Sequence, residues 1–551
     1  MKLIDQHVKK IMEECKIRAR DAGLEFDDQT LEFVVSNQDL LELSPKIMIP
    51  TLYDFWMHDV EVIKDKGRYS VYPHNPYETV INTRPAISFY NDNNPDWLNI
   101  MIFYHVLGHI DFFQNNRFFE ETWNDDFLGK ALSDKRRINA IREEMGENKR
   151  HVDYVIEFTR GLDNLVNFYD QLKTEVKSVS EESEITYFFN VFERENDYSS
   201  SDHLRMLDYY DKMVDEHGIE NGEKLFMDEI KKKYPEFSSN YKKYKEDKKD
   251  KNRDLIQFLM DESHVINKPE NLWMKDIMSI VRNTSIYFQP QIRTKIINEG
   301  WASLIHQYLF EQDERIDSHE IDYAVVNSKV LSNPKIGMNP YAIGCKLLNH
   351  IYDMGEKGKM NNFAYQSILD INDRKEYDMQ TKNGWRTLFD IRENFNDFML
   401  INFLNENDFQ DFVTKNKLFV AGRKLNQRER KWEYYIKSKN GEDYRQMLIE
   451  SLYHPPNIEF NIQSDGSLYL HHKFEGKELY KQYIENVLIG LEYLWGNPIL
   501  LETTEFNIND QESIIKWYMG MTDDIKYEKE HVLYLCKDRK IEKMLVENGD
   551  D

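Results

Sequence analysis

Apolar residues follow a helical spacing through the first two-thirds of the chain. This spacing predicts amphipathic helices over residues 1–22 and 28–44, and further helices over 133–175 and 289–312. Residues 96–116 are apolar on nearly all sides, which is typical of a helix buried in a core. The pattern therefore predicts a large, mainly helical body.

The pattern changes after about residue 380. KLFVAGRKL and KWEYYIKSK have the composition of strands, and apolar residues alternate on both sides of a Ser-Asp-Gly turn at 464–466, which predicts a hairpin. A β-like run also lies within 77–95. We predict a mainly α fold with a helical body over 1–378 and a smaller α+β C-terminal module over 379–505. A tail, 506–551, follows.

The net charge of the chain makes some classes of binding partner less favourable. The 551 residues include 72 Lys or Arg and 98 Asp or Glu, a formal net charge of −26. Such a charge disfavours nucleic acid and anionic membrane as general partners, although a local basic patch is compatible with it. The highly charged segment 229–254 is predicted to be an exposed insertion or linker. The more specific alternative is that it forms a basic patch that binds nucleic acid.

Cysteine usage and hydropathy indicate the compartment. The three cysteines, Cys15, Cys345 and Cys536, are far apart and match neither a disulfide framework nor a cysteine zinc motif. No stretch reaches about 18 uncharged apolar residues, so no membrane span is predicted. We therefore expect a cytoplasmic protein.

Two histidines interrupt the buried helix pattern at 96–116. His105 and His109, in YHVLGHIDFF, lie one turn apart on one helical face. Their spacing matches the metalloprotease motif H-E-x-x-H, but Val106 stands where that motif has its glutamate. In NEGWASLIH, Glu299 and His306 are seven residues apart and also share a helical face.

Two imidazoles and one carboxylate are a sufficient ligand set for catalytic zinc with an open position, or for non-haem iron. The alternative is that His105 and His109 are core histidines, each hydrogen-bonded separately. His306 has two interpretations as well: a fourth ligand that closes the site, or a general base.

Other residues are candidates for supporting roles. Asn298, Trp301 and Asp111 could orient or cover the ligands, and Trp301 could equally be a simple core residue. Asp111 and Glu78 are, with His306, candidates by residue type for the base that the histidine motif lacks.

Several segments together resemble the stage V sporulation protein R (SpoVR) family. They are HVLGHIDFFQNN, PQIRTKIINEGWASLIH, NPYAIG, YETVINTRP and LWGNPILLET. The first two are long and specific, and the resemblance spans roughly residues 1–505. One departure is that Asn283 and Thr284 stand where many members have paired glutamates. If those glutamates are ligands or acid/base groups in the family, this chain has lost them and is a divergent or inactive member.

The resemblance implies that both motifs form one site, comparable with that of gluzincin-type zinc peptidases. Glu299 would be the third ligand beside His105 and His109, with zinc favoured and iron or manganese as alternatives. The resemblance also implies a link to sporulation and spore cortex formation. Its implied partners are a serine protein kinase and a von Willebrand-type protein.

Three functions follow. The first is a metal-dependent hydrolase of peptide or amide bonds, for example in peptidoglycan, that lacks the usual catalytic glutamate. The second is a non-catalytic adaptor or regulatory partner of the kinase system. The third is a non-haem iron protein. The sequence leaves open whether the chain is an enzyme, and it does not indicate an oligomeric state.

Overall fold

Helices make up most of the computed structural model, as predicted. The residues that it describes are 2–36, 78–123, 127–166, 184–193, 200–242, 253–334, 337–360, 362–368, 370–426, 429, 431–508, 513 and 527–546. The α-helices in these ranges are Gln6–Asp21, Asp96–Asn115, Phe127–Met145, Arg150–Arg160, Glu184–Tyr187, Ser200–His217, Ile219–Lys233, Leu255–Glu262, Leu272–Arg293, Lys295–Phe310, Glu320–Val330, Pro340–Glu356, Phe363–Gln366, Ile371–Glu376, Gly384–Asn394, Asp397–Asn402, Glu406–Lys415, Gly441–Ser451 and Lys481–Trp495. None of them is long and apolar enough to cross a membrane.

A four-stranded sheet lies near the N-terminus. Its order is Lys2–Leu3, Thr30–Val35, Ala86–Asn91 and Glu78–Ile81, with the two central strands parallel and the outer pairs antiparallel. The helix predicted over 28–44 is therefore wrong at Thr30–Val35, and residues 37–44 lie outside the described ranges. The β-branched and aromatic residues of this run suit a strand once a parallel partner is present.

A five-stranded sheet lies near the C-terminus. Its order is Lys540–Leu545, Glu528–Lys537, Ile499–Asn507, Leu468–Lys473 and Asn457–Ile462. The last two strands form the hairpin predicted around the Ser-Asp-Gly turn. The first two fall within 506–551, so two strands of the predicted tail belong to this sheet.

A separate two-stranded sheet is formed by Val420–Asn426 and Lys431–Ser438. These are the two strands predicted just after residue 380 from their composition.

Two large hydrophobic cores contain residues from both sides of the predicted boundary at 378/379. The first extends from Ile4 to Leu448 and includes the helices Asp96–Asn115 and Lys295–Phe310. The second joins helices between Ile138 and Val281 to the five-stranded sheet. The division of the chain at residue 378 stays a prediction, and residues from both sides of it pack together in each core.

The segment 229–254 begins inside a helix, Ile219–Lys233. Ile230 and Phe237 are buried in a small aromatic core with residues such as Phe188 and Phe226. Residues 243–252 lie outside the described ranges. The first part of the predicted insertion is therefore packed rather than exposed, because Ile230 and Phe237 both enter this aromatic core.

Three helices cross at glycine contacts. We name them the histidine helix, Asp96–Asn115, the glutamate helix, Lys295–Phe310, and the glycine helix, Pro340–Glu356. A Cβ atom on Gly108 would lie 2.8 Å from the Ala302 Cα. A Cβ atom on Gly344 would lie 2.8 Å from the Gly300 Cα and would overlap the Ile296 carbonyl oxygen. Only glycine permits backbones this close.

Candidate metal centre

His105, His109 and Glu299 meet between the histidine helix and the glutamate helix. The two imidazole Nε2 atoms are 3.1 Å apart, and Glu299 Oε2 lies 3.5 Å from His109 Nε2 and 4.0 Å from His105 Nε2. Ligand atoms around a tetrahedral zinc ion are about 3.4 Å apart for bonds of about 2.1 Å. The group could therefore hold one metal ion.

Local structure explains why these side chains converge. The histidines face the glutamate helix because Gly108, between them in sequence, brings the two backbones together. The glutamate helix begins at Lys295 after a break at Thr294, so the predicted helix over 289–312 is two helices. Its first turn is fixed by Asp397, whose Oδ2 and Oδ1 accept from Ile296 N and Ile297 N at 2.9 Å each.

Each imidazole has a partner at Nδ1. His109 Nδ1 donates to Asn298 Oδ1 at 2.9 Å, which leaves a lone pair on Nε2. His105 Nδ1 lies 2.9 Å from His306 Nδ1, and His306 Nε2 lies 3.2 Å from Asn327 Oδ1. If His306 donates to Asn327, its Nδ1 accepts from His105, so the His105 Nε2 also carries a lone pair. A shared cation removes the repulsion between two such lone pairs.

The carboxylate of Glu299 is incompletely paired by protein. Its Oε2 is buried with no hydrogen-bond partner among the described residues, and the Tyr341 side chain forms a hydrogen bond with the carboxylate. Burial raises the pKa of Glu299 to about 7. An orphaned buried oxygen beside two imidazole lone pairs fits a bound cation.

Burial keeps the three histidines neutral at physiological pH. It lowers the pKa of His109 and of His306 to about 4, and the pKa of His105 falls well below its ordinary value through burial and the neighbouring imidazoles. Neutral imidazole is the form that binds a metal ion.

The lowered pKa of His306 predicts a pH-dependent contribution to stability. Between about pH 6.5 and pH 4 the unfolded chain binds a proton at His306 that the folded chain does not, so the folded state loses stability as pH falls through this window. The metal-free parent chain should lose about 3 kcal/mol relative to a His306→Gln chain over this range. Urea unfolding of both chains at several pH values measures this difference in unfolding free energy. Glu299 is present in both chains, so its opposite contribution cancels in the comparison. A difference independent of pH would contradict the prediction.

Asp111 and Trp301 form a buried link between the two helices. Trp301 Nε1 donates to Asp111 Oδ2 at 2.9 Å, and Glu25 N donates to Asp111 Oδ1 at 2.8 Å. The Arg392 guanidinium lies 3.6 Å from Asp111 Oδ1. Asp111 is thus engaged by these groups, and Trp301, only 1% exposed, is a core residue. Glu78 lies in an edge strand, and its side chain is outside the described part of the structure.

Two residues of the site were not predicted from the sequence. The Tyr341 ring stacks on His105 with centroids 6.1 Å apart and an interplanar angle of 18°. Asn327 holds His306 from the helix Glu320–Val330. The NPYAIG motif, which contains Tyr341, was the available signal for the first, whereas no motif marked the second.

Comparisons with known proteins support the family resemblance suggested by the sequence motifs. A family model described as "SpoVR like protein" matches residues 4–455, ending short of the 505 suggested by the motifs. The chain is 22% identical over 497 residues to "Uncharacterized protein YcgB" of Escherichia coli (strain K12), covering 85% of this chain and 86% of that protein. No solved structure matches. Because the family model covers most of the chain, including both helices of the metal centre, the chain belongs to the SpoVR family.

Proposed function

We propose that His105, His109 and Glu299 bind one divalent metal ion, with zinc preferred over iron or manganese. The observation that carries the proposal is the convergence of two Nε2 atoms on a carboxylate oxygen that has no other described partner. Two nitrogen ligands and one oxygen ligand match zinc sites that keep an open position. The same ligand set also matches non-haem iron, so the identity of the bound metal distinguishes a zinc hydrolase from a non-haem iron protein.

We further propose that the centre serves a hydrolase of peptide or amide bonds. A zinc ion held there would supply Lewis acidity toward a carbonyl oxygen. The protein's own part is orientation: Asn298 and His306 hold the Nδ1 sides of the two imidazoles, and Tyr341 holds the carboxylate of Glu299. Such outer partners fix ligand direction and tautomer. The family resemblance supports peptidoglycan, in the context of spore cortex formation, as the substrate.

A second candidate function is a non-catalytic adaptor in the cytoplasm. Val106 is fully buried and can accept no proton, His306 contacts a partner at each ring nitrogen, and Asp111 is engaged by Trp301 and Glu25. None of these residues is poised as the base that a H-E-x-x-H enzyme uses. In this case the metal would stabilise the helix crossing. The family resemblance supports a serine protein kinase and a von Willebrand-type protein as partners.

Metal analysis of the purified chain tests the proposal. Protein prepared without chelator should contain about one zinc ion per chain, and a His105→Ala/His109→Ala chain should contain almost none. His319→Ala, which changes a histidine outside the candidate group, is the matched control and should keep its metal. A parent chain without metal would contradict every metal-dependent function, and iron in place of zinc would favour the non-haem iron protein.

Hydrolysis is tested on the same preparations. Peptidoglycan peptides incubated with the parent chain should release new amino groups, and a chelator should stop this release until zinc is restored. A chain that holds zinc but releases no amino groups, from these peptides or from a general protein substrate, would favour the adaptor.

A further inference from the structure

The two-stranded sheet forms a basic surface on an acidic protein. Residues 420–439, which we name the basic hairpin, contain seven Lys or Arg and two Asp or Glu, a net charge of +5. The whole chain carries −26, so the remainder carries −31. The described cations include Arg423, Lys431, Lys437 and Lys439, all of them exposed. Positive charge is therefore concentrated on this element.

The basic hairpin also exposes large apolar side chains. Trp432, Tyr434 and Ile436 alternate along one strand, so they share a face, and they are 43%, 50% and 50% exposed. The guanidinium of Arg423 lies over the Trp432 ring, 4.8 Å from its centroid. Trp, Tyr and Arg are the residues enriched in binding hot spots. A two-stranded sheet with this much apolar exposure is marginal alone and gains stability when covered.

A negatively charged surface lies on another part of the chain. Residues 311–322 contain six Asp or Glu; Asp313 is buried and pairs with Arg315, and the other five are exposed. They lead into the helix Glu320–Val330, on which Ile321 is 81% exposed and Val325 is 48% exposed. These two residues are four apart and share a helical face. We name residues 311–330 the acidic surface.

We propose that the basic hairpin of one chain docks on the acidic surface of a second copy, forming a symmetric dimer. The basic hairpin carries +5 and the acidic surface, which also contains Lys329, carries −4, and each surface has an exposed apolar centre. Each chain carries both surfaces, so a two-fold axis makes the contact twice. The exposed parts of Trp432, Tyr434 and Ile436, which share one face, amount to about 350 Å², somewhat less than half of what one partner buries in an interface of standard size. The acidic surface supplies most of the rest.

Docking on the acidic surface would act on the helix that supports the metal centre. Asn327, which contacts His306, lies on the helix Glu320–Val330 two residues after Val325. His306 in turn contacts His105. The dimer contact is therefore linked to a metal-site residue through two side-chain contacts, although the dimer itself does not depend on the proposed function.

Sedimentation of the full chain tests the dimer. The parent chain should be dimeric at about 0.05 M salt and should dissociate more readily at about 0.5 M, because salt screens exposed charges. Trp432→Ser and Ile321→Ser should each weaken dimerisation at least ten-fold. Phe363→Ser, which removes a residue that is 88% exposed elsewhere, is the matched control and should leave the dimer unchanged.

A charge exchange distinguishes this contact from any other. A Lys431→Glu/Lys437→Glu/Lys439→Glu chain and a Glu314→Lys/Glu320→Lys/Asp322→Lys chain should each be monomeric. An equimolar mixture of the two should dimerise, because each altered surface meets a partner of opposite charge.

Three results would overturn the proposal. They are a monomeric parent chain at low salt, a dimer that resists every substitution, and a dimer sensitive to Trp432→Ser but not to Ile321→Ser. The last would show that the hairpin binds a different surface. Binding of a single-stranded oligonucleotide to the monomeric parent chain, abolished by Trp432→Ser, would identify nucleic acid as the occupant instead.

Discussion

A Glu299→Gln chain is expected to bind zinc about 10²–10³-fold more weakly than the parent chain. The substitution removes the negative charge and replaces one ligand oxygen by a neutral amide while it keeps the shape of the side chain. Metal binding of about 10–16 kcal/mol in four-ligand zinc sites corresponds to roughly 2.5–4 kcal/mol per ligand, or about 10²–10³ in affinity. Loss of the orphaned Oε2 should therefore have the largest effect of any single side-chain oxygen in the site.

Competition with a chromogenic zinc chelator measures this affinity. Asn298→Ala should reduce affinity only about 10–100-fold, because Asn298 orients His109 rather than forming part of the ligand group. Glu311→Gln, at the exposed end of the same helix, is the matched control and should bind zinc as the parent chain does. Equal zinc affinity in the parent and Glu299→Gln chains would remove Glu299 from the ligand set.

A Gly344→Ala chain is expected to lose about 3 kcal/mol or more of unfolding free energy. The new methyl group would overlap the Ile296 carbonyl oxygen and approach the Gly300 Cα to 2.8 Å. Both obstacles are backbone atoms, so a side-chain rotation cannot relieve them and the two helices must separate. Separation would also loosen the start of the glutamate helix, where Asp397 binds Ile296 and Ile297.

Urea unfolding of metal-free protein measures this loss without the contribution of ligand binding. Ser303→Ala on the glutamate helix is the matched control. Ser303 is fully buried and its hydroxyl has no partner among the described residues, so removing it should leave stability unchanged or slightly higher. A Gly344→Ala chain as stable as the parent would contradict the close contact between the glycine helix and the glutamate helix.

The sequence allowed the candidate metal-binding group to be predicted because its two halves are local patterns. The spacing of His105 and His109 places them on one helical face, and that of Glu299 and His306 does the same. That the two faces meet was implied by the family resemblance. The physical cause, a close contact between Gly108 and Ala302, involves two small residues that carry no visible pairing signal.

The outer partners of the site show where sequence patterns fail. Tyr341 and Asn327 reach the site from separate helices, so their roles depend on packing between elements distant in the chain. The same limit applies to the strand Thr30–Val35, whose apolar spacing suits either a helix or a strand. Its parallel neighbour, Ala86–Asn91, decides between them, and helical periodicity alone predicted the wrong element.

The Asp397 cap has a practical consequence for dividing the chain into fragments. A fragment that stops at residue 378 would lose the carboxylate that receives the Ile296 and Ile297 amides, and it would lose Arg392 beside the buried Asp111. Two buried amides would then lack their partner, and the buried Asp111 carboxylate would keep its hydrogen bonds from Trp301 and Glu25 but lose its neighbouring positive charge. Recombinant truncations meant to isolate the histidine helix and the glutamate helix should therefore retain the chain at least to Leu448, the last fully buried residue of the core that surrounds them.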